Sequence, residues 1–140
     1  MTNRNLAFIV KDQHPLTMTA DHTVQQACRR MAQRRVGAVL VTDKRHHLCG
    51  IFTGRDAVRV LAAGKSAAET TLATAMTREP HTISPDQTAI AALRVMNDGG
   101  FRHLPVVADG KIVGIVSRGD FKGLELDLFE DEVNLWERMG

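Results

Sequence analysis

Two hydroxyl–carboxylate pairs carry the clearest chemical potential in this chain: Thr53 with Asp56, and Ser117 with Asp120. Each closes an apolar run that starts at a glycine, Gly50-Ile51-Phe52-Thr53-Gly54-Arg55-Asp56 and Gly114-Ile115-Val116-Ser117-Arg118-Gly119-Asp120. That order reads as a strand running into a helix N-cap. The hydroxyl would accept a backbone N–H of the first turn while the carboxylate complements the positive end of the helix dipole, together about 1 kcal/mol. A helix start also offers N–H groups that can hold a phosphate or a ribose. The same four residues therefore fit either a structural cap or a nucleotide-gripping corner, and the chain contains the arrangement twice.

The other reactive side chains point to less. His14, His22, His46, His47, His81 and His103 are scattered over turns and strand starts with no helical i, i+4 ligand pair, so no metal site is expected. His46 and His47 read as solvated turn residues. His103, on a strand, could stand beside a ligand phosphate, where pairing would raise its pKa, or could be merely structural. Cys28 and Cys49 lack CxxC spacing and read as small buried hydrophobes. No nucleophile with a base, metal set or Gly-rich phosphate loop stands at recognisable spacing, which argues against an enzyme.

The elements that must position these residues are duplicated. Sliding the chain by 65 residues aligns Thr17 with Thr82, Asp21 with Asp86, Thr23 with Thr88, Ala27 with Ala92, Met31 with Met96 and Val41 with Val106. After a turn one residue longer in the first copy, Gly50, Ile51 and Asp56 align with Gly114, Ile115 and Asp120. Each copy opens with a short strand, Leu16 to Thr19 and His81 to Ser84. A helix follows, with apolar positions at i, i+3, i+4 and i+7: Val24, Ala27, Cys28 and Met31, then Ala89, Ala92, Leu93 and Met96. Two strands around a turn come next, Ala38 to Val41 with Leu48 to Phe52, and Leu104 to Val107 with Ile112 to Val116. The second turn carries the Asp109-Gly110 hairpin signal, and the capped helix closes each copy. The predicted fold is mixed α/β, two β-α-β-β-α units plus a C-terminal helical tail. The segments are a lead-in strand at 1–13 (Leu6 to Val10), repeat 1 at 14–63, a linker at 64–79 with Gly64 as a helix stop, repeat 2 at 80–126, and an acidic amphipathic helix at 127–140 with Phe129, Val133 and Trp136 along one stripe.

Composition narrows the class of function. At 140 residues, 44% hydrophobic and 24% charged, the chain is ordinary for one globular domain. The net charge of +2 conceals an acidic end, residues 121 to 140 carrying two bases against six acids. The mildly basic body suits phosphate-bearing small molecules but falls short of the basic stripe of a nucleic-acid binder. With no Tyr, one Trp and five Phe there is little aromatic surface for stacking bases. The apolar run Leu6 to Val10 is too short for a signal sequence or a membrane span, so a cytoplasmic location is expected.

With the duplication and the Gly-apolar-apolar-[Thr/Ser]-x-x-Asp ending in view, residues 6 to 125 resemble a tandem pair of cystathionine-β-synthase (CBS) domains. Ala75-Met76-Thr77-Arg78-Glu79-Pro80 resembles the Met-Thr-x-x-Pro lead-in of such repeats, and Phe101-Arg102-His103-Leu104-Pro105-Val106-Val107 their second strand. The first copy departs from both, with Lys11-Asp12-Gln13-His14-Pro15 and Val36-Gly37-Ala38-Val39-Leu40 at the corresponding places. The resemblance implies two repeats packed as a pseudo-two-fold pair. It implies a non-catalytic regulatory module, with no required cofactor, that binds AMP, ADP, ATP, S-adenosylmethionine or NAD in clefts between the repeats. One cleft would use Gly37, Ala38, Thr53, Asp56 and the linker near Ala75; the other Arg102, His103, Ser117 and Asp120. It also implies a homodimer and a regulated protein partner. The alternative is a homodimeric assembly or partner-binding module whose clefts stay empty.

Overall fold

A computed structural model of the chain describes residues 3–121 and 123–139, with side chains except at 124, 138 and 139; residues 1, 2, 122 and 140 of the segments above lie outside it. The described residues form two compact units. One gathers residues 14–80 with 109–112, the other 3–13, 81–108 and 113–139.

In the unit of repeat 1, β1 (Thr17–Thr19) runs parallel to β2 (Ala38–Thr42), which pairs antiparallel with β3 (Leu48–Thr53). Between them lies α2 (Val24–Arg34). It begins at Thr23, whose hydroxyl accepts the Gln26 N–H while the Gln26 side chain accepts the Thr23 N–H, so two N-terminal donors are satisfied together. Val24, Ala27 and Met31 face the core as the periodicity predicts. Cys28 and Cys49 are half-buried at its margin rather than enclosed, because Cys28 flanks the buried stripe and Cys49 stands near the start of β3. The closing helix α3 (Gly54–Ala62) stops before Gly64, which takes the left-handed conformation at φ 69°.

The linker 64–79 carries structure of its own. It folds into α4 (Leu72–Ala75) and β4 (Thr77–Arg78), and β4 adds to the outer edge of β3 to complete a sheet ordered β1-β2-β3-β4. Leu72 is fully buried, and its N–H donates to the His22 carbonyl at 2.8 Å. Gly50 admits the segment: a Cβ there would stand 3.0 Å from Met76 Cγ and 3.1 Å from the Thr77 carbonyl.

Repeat 2 itself comprises α5 (Ala89–Gly99), the hairpin of β5 (His103–Ala108) and β6 (Lys111–Ser117), a 3-10 turn (Arg118–Asp120) and α6 (Gly123–Met139). Asp109 and Gly110 both take positive φ, 51° and 77°, as the Asp-Gly turn signal requires. Three sequence expectations need correction here. The lead-in strand Leu6 to Val10 is a helical turn, α1 (Leu6–Ile9). Leu6 and Val10, four apart, are buried while Phe8 is exposed; a strand would have put all three on one face. This lead-in completes repeat 2 rather than repeat 1: Leu6 and Val10 sit in its core, and the Leu6 and Ala7 N–H groups donate to Gln87 and Pro85 carbonyls.

The strand His81 to Ser84 shrinks to one bridge, Ile83 with Val106. In repeat 1 Leu40 N–H donates to the Leu16 carbonyl; its counterpart Pro105 has no N–H to offer His81. Finally, the closing helix of repeat 2 and the tail at 127–140 are one helix, α6, set off from the cap by a single 3-10 turn. Phe129 is buried and Val133 is half-buried against the core beside it, but Trp136 is 66% exposed, so only part of the predicted stripe is covered. Among the described residues no helix is long and apolar enough to cross a membrane.

Candidate functional site

Each strand-to-cap corner forms as the spacing predicts, and the two differ in what surrounds the carboxylate. In repeat 1 the Thr53 N–H and hydroxyl donate to Asp56 Oδ2 at 3.0 and 3.2 Å. Asp56 Oδ1 faces Arg59 Nη1 at 3.2 Å and, at the outer limit for a hydrogen bond, the Thr77 hydroxyl at 3.5 Å. Asp56 is 4% exposed. Gly37 and Ala38 lie alongside: Ala38 is the cross-strand partner of Thr53, and the Gly37 carbonyl accepts the Gly54 N–H at 3.2 Å. Ala75 ends α4, half-buried, two residues before Thr77. The structure thus gathers the first predicted set, but it encloses the carboxylate meant to accept a ribose.

In repeat 2 the Ser117 N–H donates to Asp120 Oδ2 at 2.7 Å and its hydroxyl to the same oxygen at 3.2 Å. Asp120 itself is exposed, and Oδ1 accepts no hydrogen bond among the described residues. His103, half-buried at the start of β5, has its pKa lowered by burial; the Asp120 carboxylate opposes this shift and the Arg102 charge adds to it. Asp120 and Arg102 therefore both lie close enough to His103 to act on its charge. The Arg118 guanidinium lies 5.9 Å from the centre of the Phe129 ring.

Some participants escaped the sequence reading. Thr77 was visible in the Met-Thr lead-in, but its hydroxyl turns out to serve Asp56 of repeat 1, the repeat before it. The corresponding lead-in of the first copy, with Asp12 in the place of Thr77, folds with repeat 2. The departure from the repeat pattern therefore lies in the segment that completes repeat 2. Arg59 was readable as an i, i+3 partner of Asp56. Arg4 and Glu125, 121 residues apart, left no signal: the Arg4 side chain bonds Glu125 at 2.8 and 3.1 Å and the Asp120 carbonyl at 3.0 Å.

Comparison with known proteins decides the family. The model of the CBS domain matches residues 9–63 and again 72–126. The chain belongs to the CBS domain family. Among relatives of this CBS pair, the CBS domain-containing protein CBSCBSPB2 of Arabidopsis thaliana is 47% identical over 102 residues, 72% of this chain and 19% of that protein. The chain thus spans about a fifth of the length of the curated relatives it first matches. A CBS-domain containing protein from Agrobacterium tumefaciens is similar in structure at a TM-score of 0.78 and 30% identity, over 84% of this chain and 95% of that one. The CBS domain protein of Pyrobaculum aerophilum complexed with AMP aligns at a TM-score of 0.83 over 91% of this chain and 99% of that one; at 20% identity this is a likeness of fold.

Proposed function

We propose that this CBS pair is a non-catalytic regulatory module that binds an adenosine-containing ligand, with the Ser117–Asp120 corner as its principal site. The observation that carries the reading is the state of Asp120: Oδ2 is anchored by Ser117, Oδ1 is unengaged among the described residues, and the residue is exposed. An ionised carboxylate held this way accepts ribose hydroxyls without first giving up internal bonds. The Arg102 charge, which acts on His103, is the positive charge that a phosphate would meet, and a bound phosphate would draw His103 toward its charged form. AMP, with which the Pyrobaculum protein is complexed, is the first ligand to test; ADP, ATP, S-adenosylmethionine and NAD follow.

The test is thermal. A ligand at a hundred times its dissociation constant adds about 2.7 kcal/mol, a rise of roughly 8 °C in Tm for a chain of this size. If all five ligands at millimolar concentration leave the melting curve unmoved, the sensing function fails and the assembly module becomes the better reading. The proposal includes a homodimer, supported by apolar surface left uncovered: Val58 and Leu61 on α3 are 62% and 70% exposed, and Leu135 and Trp136 on α6 are exposed as well. A strict monomer in sedimentation at micromolar concentration would refute that part.

A further inference from the structure

We infer that Arg4 is a positioning residue for the Ser117–Asp120 corner, an inference that rests on reading that corner as the ligand site. Arg4 makes an unusual set of bonds for a residue so near the start of the chain. Its N–H donates to Glu125 Oε2 at 3.0 Å, its Nε to the same oxygen at 3.1 Å, and its Nη2 both to Glu125 Oε1 at 2.8 Å and to the Asp120 carbonyl at 3.0 Å. Its own carbonyl accepts the N–H of Ala89 at 2.8 Å, the first residue of α5. One residue thereby ties the starts of α5 and α6 to the last residue of the 3-10 turn.

The turn needs such a tie. It is three residues long, and its closing backbone bond, from Phe121 N–H to the Arg118 carbonyl, is 3.4 Å. In repeat 1 the counterpart carboxylate sits inside the nine-residue helix α3, whose own backbone ladder fixes it. Asp120 has no such ladder: its side chain is set by Ser117 at one end and its carbonyl by Arg4 at the other. Glu125, 1% exposed, holds the guanidinium in place, and burial favours a rigid pair over the loose geometry of a solvated one. The fork geometry matters, because a lysine could meet the Glu125 charge but could not span Glu125 and the Asp120 carbonyl together.

The experiment compares wild type, Arg4→Lys and Arg4→Ala in the full chain, by residue-resolved amide exchange without ligand and by AMP titration. The expected result is exchange at the Ser117 and Phe121 amides faster by about tenfold in both variants, with the amides of Leu93 and Val106 in the same unit little changed. AMP affinity should fall by about tenfold, the scale of one lost charge-assisted bond. Corner exchange as slow as in wild type overturns the inference. So does a uniform acceleration through Leu93 and Val106, which would make Arg4 a general structural residue. If Arg4→Ala does not fold, Arg4→Lys carries the same comparison. If wild type binds none of the five ligands, the proposed function falls, while the exchange pattern still decides whether Arg4 orders the corner.

Discussion

Asp56 and Asp120 occupy the same place in two copies of one motif, yet one is enclosed and the other open. Asp56 lies within a nine-residue helix, takes bonds on both oxygens and is 4% exposed; Asp120 ends a three-residue turn, takes bonds on one oxygen among the described residues and is exposed. The difference comes from neighbours outside the motif. Arg59 follows Asp56 at helical spacing and Thr77 arrives on β4, whereas no bond reaches Asp120 Oδ1 among the described residues. A duplicated sequence thus yields one enclosed carboxylate bonded on both oxygens and one exposed carboxylate bonded on a single oxygen among the described residues.

Substitution of the two carboxylates tests this contrast most directly. Asp56→Ala should cost about 2–3 kcal/mol, because it strands the Thr53 N–H and its buried surroundings. Asp120→Ala, losing a cap at an exposed turn, should cost only about 0.3–1 kcal/mol. Urea unfolding measures both, and equal losses would erase the distinction.

Affinity should rank the pair the other way. Asp120→Ala should weaken AMP binding by about 1.5–3 kcal/mol, the cost of a lost charged acceptor, while Asp56→Ala, where still folded, should leave it within about twofold. Calorimetric titration in which Asp56→Ala does the greater damage would move the principal site to repeat 1.

The motif glycines offer a smaller test of how each repeat receives its completing segment. A Cβ on Gly114 would stand 2.5 Å from Val10 Cβ and 2.8 Å from Gln13 Oε1, whereas on Gly50 it meets chiefly the side chain of Met76. Branched Val10 has no rotamer that moves its Cβ, but the Met76 thioether can swing away. Gly114→Ala should therefore cost about 1–3 kcal/mol and Gly50→Ala less, as read from the two melting temperatures; the reverse order would count against the docking of α1 seen here.

The last and smallest effect is on pH. His103 has its pKa lowered in the folded state, chiefly by burial, so at mildly acidic pH the unfolded chain binds more protons. Its contribution to stability is complete above the ordinary histidine pKa and is lost as pH falls toward the lower folded value. Stability should decline as pH drops below neutrality, and His103→Gln should flatten that slope. A bound phosphate would pull the same pKa upward, so AMP should bind more tightly at pH 6 than at pH 8 through His103; an affinity independent of pH would remove this histidine from the site.

Much of the molecule was legible in its residues. The duplication fixed two like units, the spacing Val24, Ala27, Met31 and Ala89, Ala92, Leu93, Met96 fixed two core-facing helices, and Asp109-Gly110 fixed a hairpin, because each depends on neighbours a few positions away. The capping geometry of Thr53 with Asp56 and Ser117 with Asp120 is local in the same way, so both corners were visible as motifs. What surrounds each carboxylate was not. That was decided by Thr77 reaching back to Asp56, by Leu6 and Val10 turning as a helix to fill repeat 2, and by Arg4 meeting Glu125 across 121 residues. Burial of a carboxylate and the supply of its hydrogen bonds are set by whatever segment packs beside it, and pairing between distant segments leaves no period or spacing in a single sequence.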